Sequence, residues 1–284
     1  MSKASLNTQG TEKQQCPVQP KVKAQDPWAH QAKIPGVNYV IAVASGKGGV
    51  GKSTVAVNIA AALSTIGKKV GVLDLDVYGP SLPMMVGIHK PPNVLNGKIQ
   101  PIEKYGMCFL SFGMFVSENA PVIWRGPLVA KLVNQFFDDT EWESLDYLII
   151  DLPPGTGDVQ LSMVQRIKVS GAIMVTTPQD LALLDVQKGA DMFKKVNVPV
   201  LGIVENMSFL RCPHCGKEIE VFKGQGGELE SKRLGVPLLG AIPLDPDLTI
   251  TSDLGMPEVL THKESSITKI FLEVAREIDK LLLK

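Results

Sequence analysis

The sequence predicts a single α/β domain with a mostly parallel sheet and helices on both faces. Three observations lead to this prediction. Short apolar, β-branched runs alternate with segments whose apolar residues recur at helical spacing. The runs are hydrophobic almost throughout, as strands buried on both faces are. We find no internal repeat and no second apolar core, so we assign the whole alternation to one sheet.

The predicted elements follow one another in regular order. We expect strands at 39–45, 69–74, 107–112, 146–151, 172–176, 198–205 and 237–242. We expect helices at 53–66, 127–137, 158–168, 181–195, 228–234 and 265–284. The last helix is amphipathic, and no belt of Lys and Arg flanks its apolar stripe, so we expect it to dock on the sheet rather than on a membrane surface.

Segments outside this alternation set the predicted domain limits. Residues 1–36 are polar and proline-containing and are predicted to be a flexible tail that includes Cys16. The domain is predicted to cover 37–284. Within it, residues at about 206–227 hold many polar groups, glycines and a cysteine pair, which is typical of a surface insertion.

Composition excludes several classes of protein. Of the 284 residues, 44% are hydrophobic and 20% charged, which is ordinary for a globular enzyme and unlike a disordered chain. Lys and Arg number 29 and so do Asp and Glu, so no basic excess supports nucleic-acid binding. No apolar run reaches the ~20 residues that span a bilayer, and the first residues lack a signal-peptide pattern. We therefore expect a cytoplasmic protein with no membrane or nucleic-acid partner.

A phosphate-binding loop follows the first predicted strand. Residues 46–53 read GKGGVGKS, which matches the P-loop pattern between a strand and a helix. The glycines let backbone N–H groups face phosphate oxygens, and the helix N-terminus adds positive potential. Lys52 is predicted to reach the β- and γ-phosphates of ATP, and Ser53 to bind Mg²⁺.

Two acidic residues complete a predicted hydrolytic site. Asp76 lies just past the second strand, where its carboxylate can orient the attacking water, whereas Asp74 is expected to be structural. Asp151 ends the apolar strand LIID and is expected to hold Mg²⁺. The Gly/Pro-rich loop that follows lies at the strand end where ligands bind in open sheets. Asp158 after it is expected to cap the next helix rather than to act in catalysis.

The insertion carries the pair Cys212 and Cys215 in a C-x-x-C turn. Two thiolates are half of a Cys₄ site for zinc or a 4Fe–4S cluster, and the chain offers no second C-x-x-C. A homodimer whose two pairs meet at the twofold axis supplies four. Bridging iron–sulfur, zinc and redox-active thiols all remain open, with His214 as a possible additional zinc ligand. Cys108, on an apolar strand, is expected to be an inert core thiol.

The loop GKGGVGKS resembles the deviant Walker A motif of SIMIBI-class P-loop NTPases such as MinD, ParA and the nitrogenase iron protein. The resemblance implies that Lys47 reaches across a homodimer to the partner's nucleotide, the alternative being a lysine that only raises local positive potential. It implies that Asp76 is the switch I residue and that the loop after Asp151 is switch II. It further implies that Asn206 and the loop 243–247 contact the base.

The ordered set GKGGVGKS, LDLDVYGPS, WRGP, LIIDLPPGTGD, VENMS and CPHCG resembles the Mrp/ApbC family over residues 37–282. The resemblance implies a slow ATPase that carries a 4Fe–4S cluster, bridged between two subunits by Cys212 and Cys215, to apoproteins, with cluster-assembly scaffolds as further partners. The catalytic residues are then Lys47, Lys52 and Asp76. The nucleotide-binding residues are Gly46, Lys47, Gly48, Gly49, Val50, Gly51, Lys52, Ser53, Thr54, Asp151 and Asn206.

Two other functions use the same ATP site. One is a switch of the MinD/ParA kind with a structural zinc knuckle, against which the C-x-x-C insertion and the neutral charge argue. The other is an electron-transfer ATPase like the nitrogenase iron protein, which bridges its cluster through separated single cysteines.

Overall fold

The structure is a computed structural model that describes residues 31–77, 79–115, 126–155, 158–222 and 226–283. Its strands are β1 (Val37–Ala44), β2 (Val70–Asp74), β3 (Asn93–Leu95), β4 (Lys98–Gln100), β5 (Ile102–Lys104), β6 (Met107–Ser111), β7 (Leu145–Asp151), β8 (Gly171–Thr176), β9 (Val200–Glu205), β10 (Leu210–Arg211), β11 (Glu218–Ile219) and β12 (Leu238–Ala241). Its α-helices are α1 (Lys52–Thr65), α2 (Leu82–Met85), α3 (Gly126–Asp138), α4 (Asp158–Arg166), α5 (Asp180–Lys195), α6 (Gly226–Leu234), α7 (Pro246–Asp253), α8 (Glu258–Thr261) and α9 (Ser266–Leu282).

One sheet organises the described part of the chain, in the order β12-β9-β8-β1-β7-β2-β6-β5. Every neighbouring pair is parallel except β5–β6 at one edge. The strands β1 and β7 are central, and Val43 lies opposite Asp151 in their register. Their apolar residues are buried because helices cover both faces, which confirms the predicted fold class.

Two hydrophobic layers flank the sheet. One contains α1 and α9, with Phe271 and Val274 of α9 fully buried. The other contains Phe136 of α3, Val164 of α4 and Phe193 of α5. Burial of these layers is the main stabilising term of the domain.

The C-terminal helix α9 packs beside α1 and β12, as its apolar stripe predicted. Its far end is tied by Asp279, which accepts a hydrogen bond from the Tyr147 hydroxyl and pairs with Lys68 at 2.7 Å. Across the described residues, none of the helices is long and apolar enough to cross a bilayer.

Packing against the domain begins before residue 37, the predicted start of the domain. Ile34 is buried in the core, and Ala32 exchanges backbone hydrogen bonds with Arg166 and Lys168. Residues 31–36 therefore pack on the domain. Cys16 and the segment 124–125 of WRGP lie outside the described residues, as do residues 156–157 of the predicted switch II loop.

Several short elements carry no signal in the sequence: α2, α7 and α8, the hairpin β3–β4 and the edge strand β5. Each is three to eight residues long, too short for a periodic pattern to identify. The predicted insertion contains the small hairpin β10–β11, whose strands are antiparallel.

Candidate functional site

The loop between β1 and α1 is shaped by close approaches that exclude side chains. Gly51 has a φ of +80°, and a Cβ there would lie 2.2 Å from the Nδ2 atom of Asn206. A Cβ on Gly46 would lie 2.1 Å from the Cβ of Asp185 on α5. Larger residues at these two positions would therefore push the loop away from β9 and α5, the elements that hold it.

Two carboxylates meet one lysine beneath this loop. Lys52, which is 6% exposed, places its Nζ atom 2.5 Å from Asp151 Oδ1 and 3.8 Å from Asp76 Oδ2. Ser53 Oγ lies 3.4 Å from the same ammonium. The predicted residues Lys52, Ser53, Asp76 and Asp151 therefore converge at the carboxyl edge of the sheet, where parallel folds bind ligands.

Asp74 supports this cluster from below. Its Oδ1 atom accepts the Asp76 N–H at 2.9 Å, and its Oδ2 atom accepts the Ser111 hydroxyl at 2.8 Å. The side chain is fully buried, so it orients Asp76 and does not face the cavity. Ser111 gives no motif signal, because only the pairing of β6 with β2 brings it to Asp74.

Burial shapes the titration of the cluster. Burial and the adjacent charge of Asp151 raise the pKa of Asp74 to about 7 from its ordinary value of 3.8. Burial likewise raises the pKa of Asp151, and the ammonium of Lys52 opposes that shift. The cluster is therefore crowded with negative charge, which suits a site that receives Mg²⁺.

Replacement of Asp74 tests this charge balance. The folded protein binds the Asp74 proton more tightly than the unfolded chain does, so stabilisation present below about pH 4 is lost as the pH rises to about 7. We expect Asp74→Asn to raise the melting temperature of the nucleotide-free protein by roughly 5 °C at pH 8 and by little at pH 5. Glu264→Gln removes an equal charge from a side chain that is 95% exposed and serves as the control. An equal gain at both pH values would contradict the account.

A cavity of about 430 Å³ opens above the cluster. The loop forms its floor, Gly79 and Ser81 line one side, and Met207 and Pro243 line the other. Its volume lies in the range of small-molecule sites. Thr54 also lines it, as do Asp76, Asn206 and the first residues of the loop 243–247, so these predicted parts of the site meet around one cavity.

Asn206 holds the loop as well as lining the cavity. Its Nδ2 atom donates to the Val50 carbonyl at 2.9 Å, and the residue is 4% exposed. No motif indicates this bond, which spans 156 positions. Contact of this side chain with a base stays a prediction, for which the amide oxygen and the second N–H of Nδ2 remain.

Lys47 lines the cavity but makes its side-chain bond away from the carboxylate cluster. Its Nζ atom donates to Gln179 Oε1 at 3.0 Å, just before α5, and its carbonyl accepts the Ser45 hydroxyl. The ammonium is thus partnered at the rim, while Lys52 occupies the cluster of carboxylates.

The cysteine pair lies in the turn of the β10–β11 hairpin. Cys212 and Gly216 close the turn, with Gly216 N donating to the Cys212 carbonyl at 2.9 Å and a φ of +70° at Gly216. Hydrogen bonds from the backbone N–H groups of Cys215 and His214 lower the pKa of Cys212. Cys215 is exposed. The turn therefore carries one exposed and one partly exposed cysteine, and the partly exposed Cys212 is biased toward the thiolate that binds metals.

The other described cysteine is different. Burial raises the pKa of Cys108 to about 11, which fits the predicted inert thiol. Among the described residues, no group of three or more His, Cys, Asp and Glu side chains could hold a metal ion. The hairpin therefore offers half of a four-thiolate site, and His214 does not complete it.

Comparisons with known proteins show the family of the chain. The family model of the ParA group described as NUBPL iron-transfer P-loop NTPase matches residues 36–279. The iron-sulfur cluster carrier protein of Aquifex aeolicus is 48% identical over 263 residues, covering 91% of this chain and 72% of that protein. The iron-sulfur cluster transfer protein NUBPL of Mus musculus is 47% identical over 255 residues, covering 89% and 80%.

Solved structures show the same architecture. A nucleotide-binding protein of Archaeoglobus fulgidus in complex with ADP has a TM-score of 0.73 and 36% identity, covering 84% of this chain and 94% of its own. The cell division ATPase MinD of Pyrococcus furiosus has a TM-score of 0.64 and 26% identity, covering 86% and 99%. The chain therefore belongs to the NUBPL iron-transfer P-loop NTPase family.

Proposed function

We propose that this protein is an ATP-hydrolysing carrier that binds a 4Fe–4S cluster as a homodimer and transfers it to apoproteins. The observation that carries the proposal is the pair Cys212 and Cys215 in the hairpin turn, built on the same subunit as a P-loop cavity. Relatives named for iron–sulfur cluster carriage and transfer support it.

The nucleotide part follows from the residues of the cavity. Backbone N–H groups of the loop and the Lys52 ammonium receive the phosphates, and release of Lys52 from Asp151 frees that carboxylate for Mg²⁺ together with Ser53. Mg²⁺ supplies charge neutralisation at the phosphates when bound. Asp76, held by Asp74, orients the attacking water.

Two sites are incomplete in a single subunit, the thiolate site and the ATP site, and a dimer would complete both. Two thiols per chain require a second pair, and a twofold axis supplies it from an identical subunit. Lys47 bonds at the rim and not within its own carboxylate cluster, which suits a lysine that reaches the partner's nucleotide. Basal hydrolysis is expected to be slow, because completion of the site depends on this contact.

Partners and location follow from the chemistry of the cargo. Recipients are apo-iron–sulfur proteins, and cluster-assembly scaffolds are the expected donors. Exposed thiols persist in a reducing compartment, so we propose the cytoplasm. A MinD-like switch with a zinc knuckle shares the fold, but the names of the relatives do not favour it.

A transfer assay tests the proposal. The reconstituted protein is mixed with an apoenzyme that needs a 4Fe–4S cluster, and the recovered enzyme activity is measured in the presence of a chelator that traps free iron. We expect full recovery at about one cluster per recipient from the carrier dimer. Recovery no faster than from free iron and sulfide would overturn the proposal.

A further inference from the structure

Beyond the thiols themselves, the structure shows how the cysteine segment is attached to the nucleotide cavity. Both ends of the segment return to one buried carboxylate, that of Glu205 at the end of β9. We infer that Glu205 is a positioning residue that makes the cysteine hairpin respond to nucleotide in the same subunit. The inference rests on the proposed function, because it concerns the thiols assigned to the cluster.

The carboxylate fastens the two ends at once. One oxygen of Glu205 accepts the Ser208 hydroxyl at 2.5 Å, at the start of the segment. The other accepts the Gly227 N–H at 2.5 Å, at its end. Gly227 lies at the N-terminus of the nine-residue helix α6, where an N–H lacks an intrahelical partner and negative charge is favourable. Glu205 is 6% exposed, so these bonds are shielded from water.

A second connection joins the hairpin to the cavity wall. Leu244 lines the cavity and donates its N–H to the Phe209 carbonyl at 2.7 Å. Leu210, the first residue of β10, forms a bridge with the same Leu244. Ser208 N donates to Ile242 O at 2.9 Å, so the chain after β9 runs beside the chain after β12.

The two connections together couple the cavity wall to the cysteine hairpin. A ligand that fills the cavity contacts the wall at Leu244, and the wall is bonded to the strand that leads into Cys212. Glu205 fixes both ends of the segment. A displacement of the wall therefore moves the hairpin as a unit and is not absorbed by the connecting chain. Asn206, the next residue after Glu205, bonds to Val50 of the phosphate loop and brings the loop into the same assembly.

Close packing leaves little room for this carboxylate to move. A Cβ on Gly227 would lie 2.7 Å from Glu205 Oε2 and 2.9 Å from its Cβ. Gly227→Ala therefore displaces the carboxylate without changing its charge. Glu205→Leu keeps most of the volume but removes both acceptor oxygens, so both bonds are lost. Neither Glu205 nor Gly227 lines the cavity.

Thiol alkylation of the full-length, cluster-free protein tests the inference. The rate of carbamidomethylation at Cys212 is followed by peptide mass spectrometry with and without Mg²⁺ and ADP. For the natural sequence, we expect ADP to slow the rate by about fivefold or more, because a filled cavity holds the wall and the hairpin still. In Glu205→Leu and Gly227→Ala the rates with and without ADP are expected to be equal, while the ADP dissociation constant changes by less than about twofold.

A matched variant and a milder variant make the outcome decisive. Glu230→Leu makes the same change at another buried carboxylate, which pairs with Arg233 on α6 and not with the segment ends, and is expected to keep the full ADP effect. Ser208→Ala removes a single hydroxyl and serves if the other variants do not fold. Retention of the ADP effect in folded Glu205 and Gly227 variants, or no effect in the natural sequence, overturns the inference. Because no cluster is present, failure of cluster transfer tests the proposed function separately.

Discussion

Lys47→Ala is expected to lower the ATP hydrolysis rate by about 10³-fold while leaving ATP affinity within about threefold, because a charge supplied in trans acts mainly on the transition state. In the structure Lys47 bonds to Gln179 at the rim of its own site, and Lys52 alone occupies the carboxylate cluster. Steady-state phosphate release and equilibrium nucleotide binding separate the two quantities.

Mixing two inactive variants distinguishes action in trans from action in cis. Lys52→Ala removes the phosphate-binding lysine but keeps Lys47, and Lys47→Ala does the reverse. A heterodimer then contains one complete site, and an equal mixture is expected to recover up to about a quarter of the natural activity. Lys98→Ala, at an exposed lysine on β4, controls for the loss of one positive charge. No recovery on mixing would show that Lys47 acts within its own subunit.

Replacement of one cysteine of the hairpin is expected to remove the whole cluster. In a symmetric dimer, Cys212→Ala or Cys215→Ala deletes two of the four thiolates, and two ligands do not hold a 4Fe–4S cluster. Each variant is expected to show no cluster absorption after reconstitution and no transfer to an apoenzyme. ATP hydrolysis is expected to persist, because neither side chain lines the cavity.

Cys108→Ala provides the matched control. This thiol is half-buried on β6, and burial raises its pKa to about 11, so it does not supply a thiolate. Cluster content equal to that of the natural protein is expected for this variant. Loss of the cluster from Cys108→Ala alone, with the hairpin cysteines intact, would show that the hairpin cysteines do not suffice to bind the cluster.

The sequence predicted the sheet and the phosphate site because their signals are local. An apolar run buried on both faces identifies a strand such as β7 without knowledge of its neighbours. The spacing of glycines, Lys52 and Ser53 reports a loop that is complete within eight residues. Asp151 and Asp76 are predictable because one ends a strand and the other lies two residues past a strand, and parallel strands end at one edge of the sheet.

The connections that tie the site together could not be predicted, because they join residues far apart in the chain. The bond from Asn206 to Val50 spans 156 positions, and that from Ser111 to Asp74 spans 37. Glu205 lies in the motif VENMS, but its two bonds could not be predicted, because they require both ends of the cysteine segment to return to β9. The segment 31–36 was assigned to a tail because one apolar residue, Ile34, gives no periodicity, although it is buried.

The most direct test of the carrier account is the metal content of the dimer. The protein is purified without oxygen, reconstituted with iron and sulfide, and analysed for iron, sulfide and zinc per dimer, beside a sample with Cys212→Ala and Cys215→Ala. We expect about four irons and four sulfides per dimer, lost in the double variant. Zinc alone, or no metal in a dimer that still forms with ATP, would contradict the account and leave a nucleotide switch with a structural cysteine knuckle.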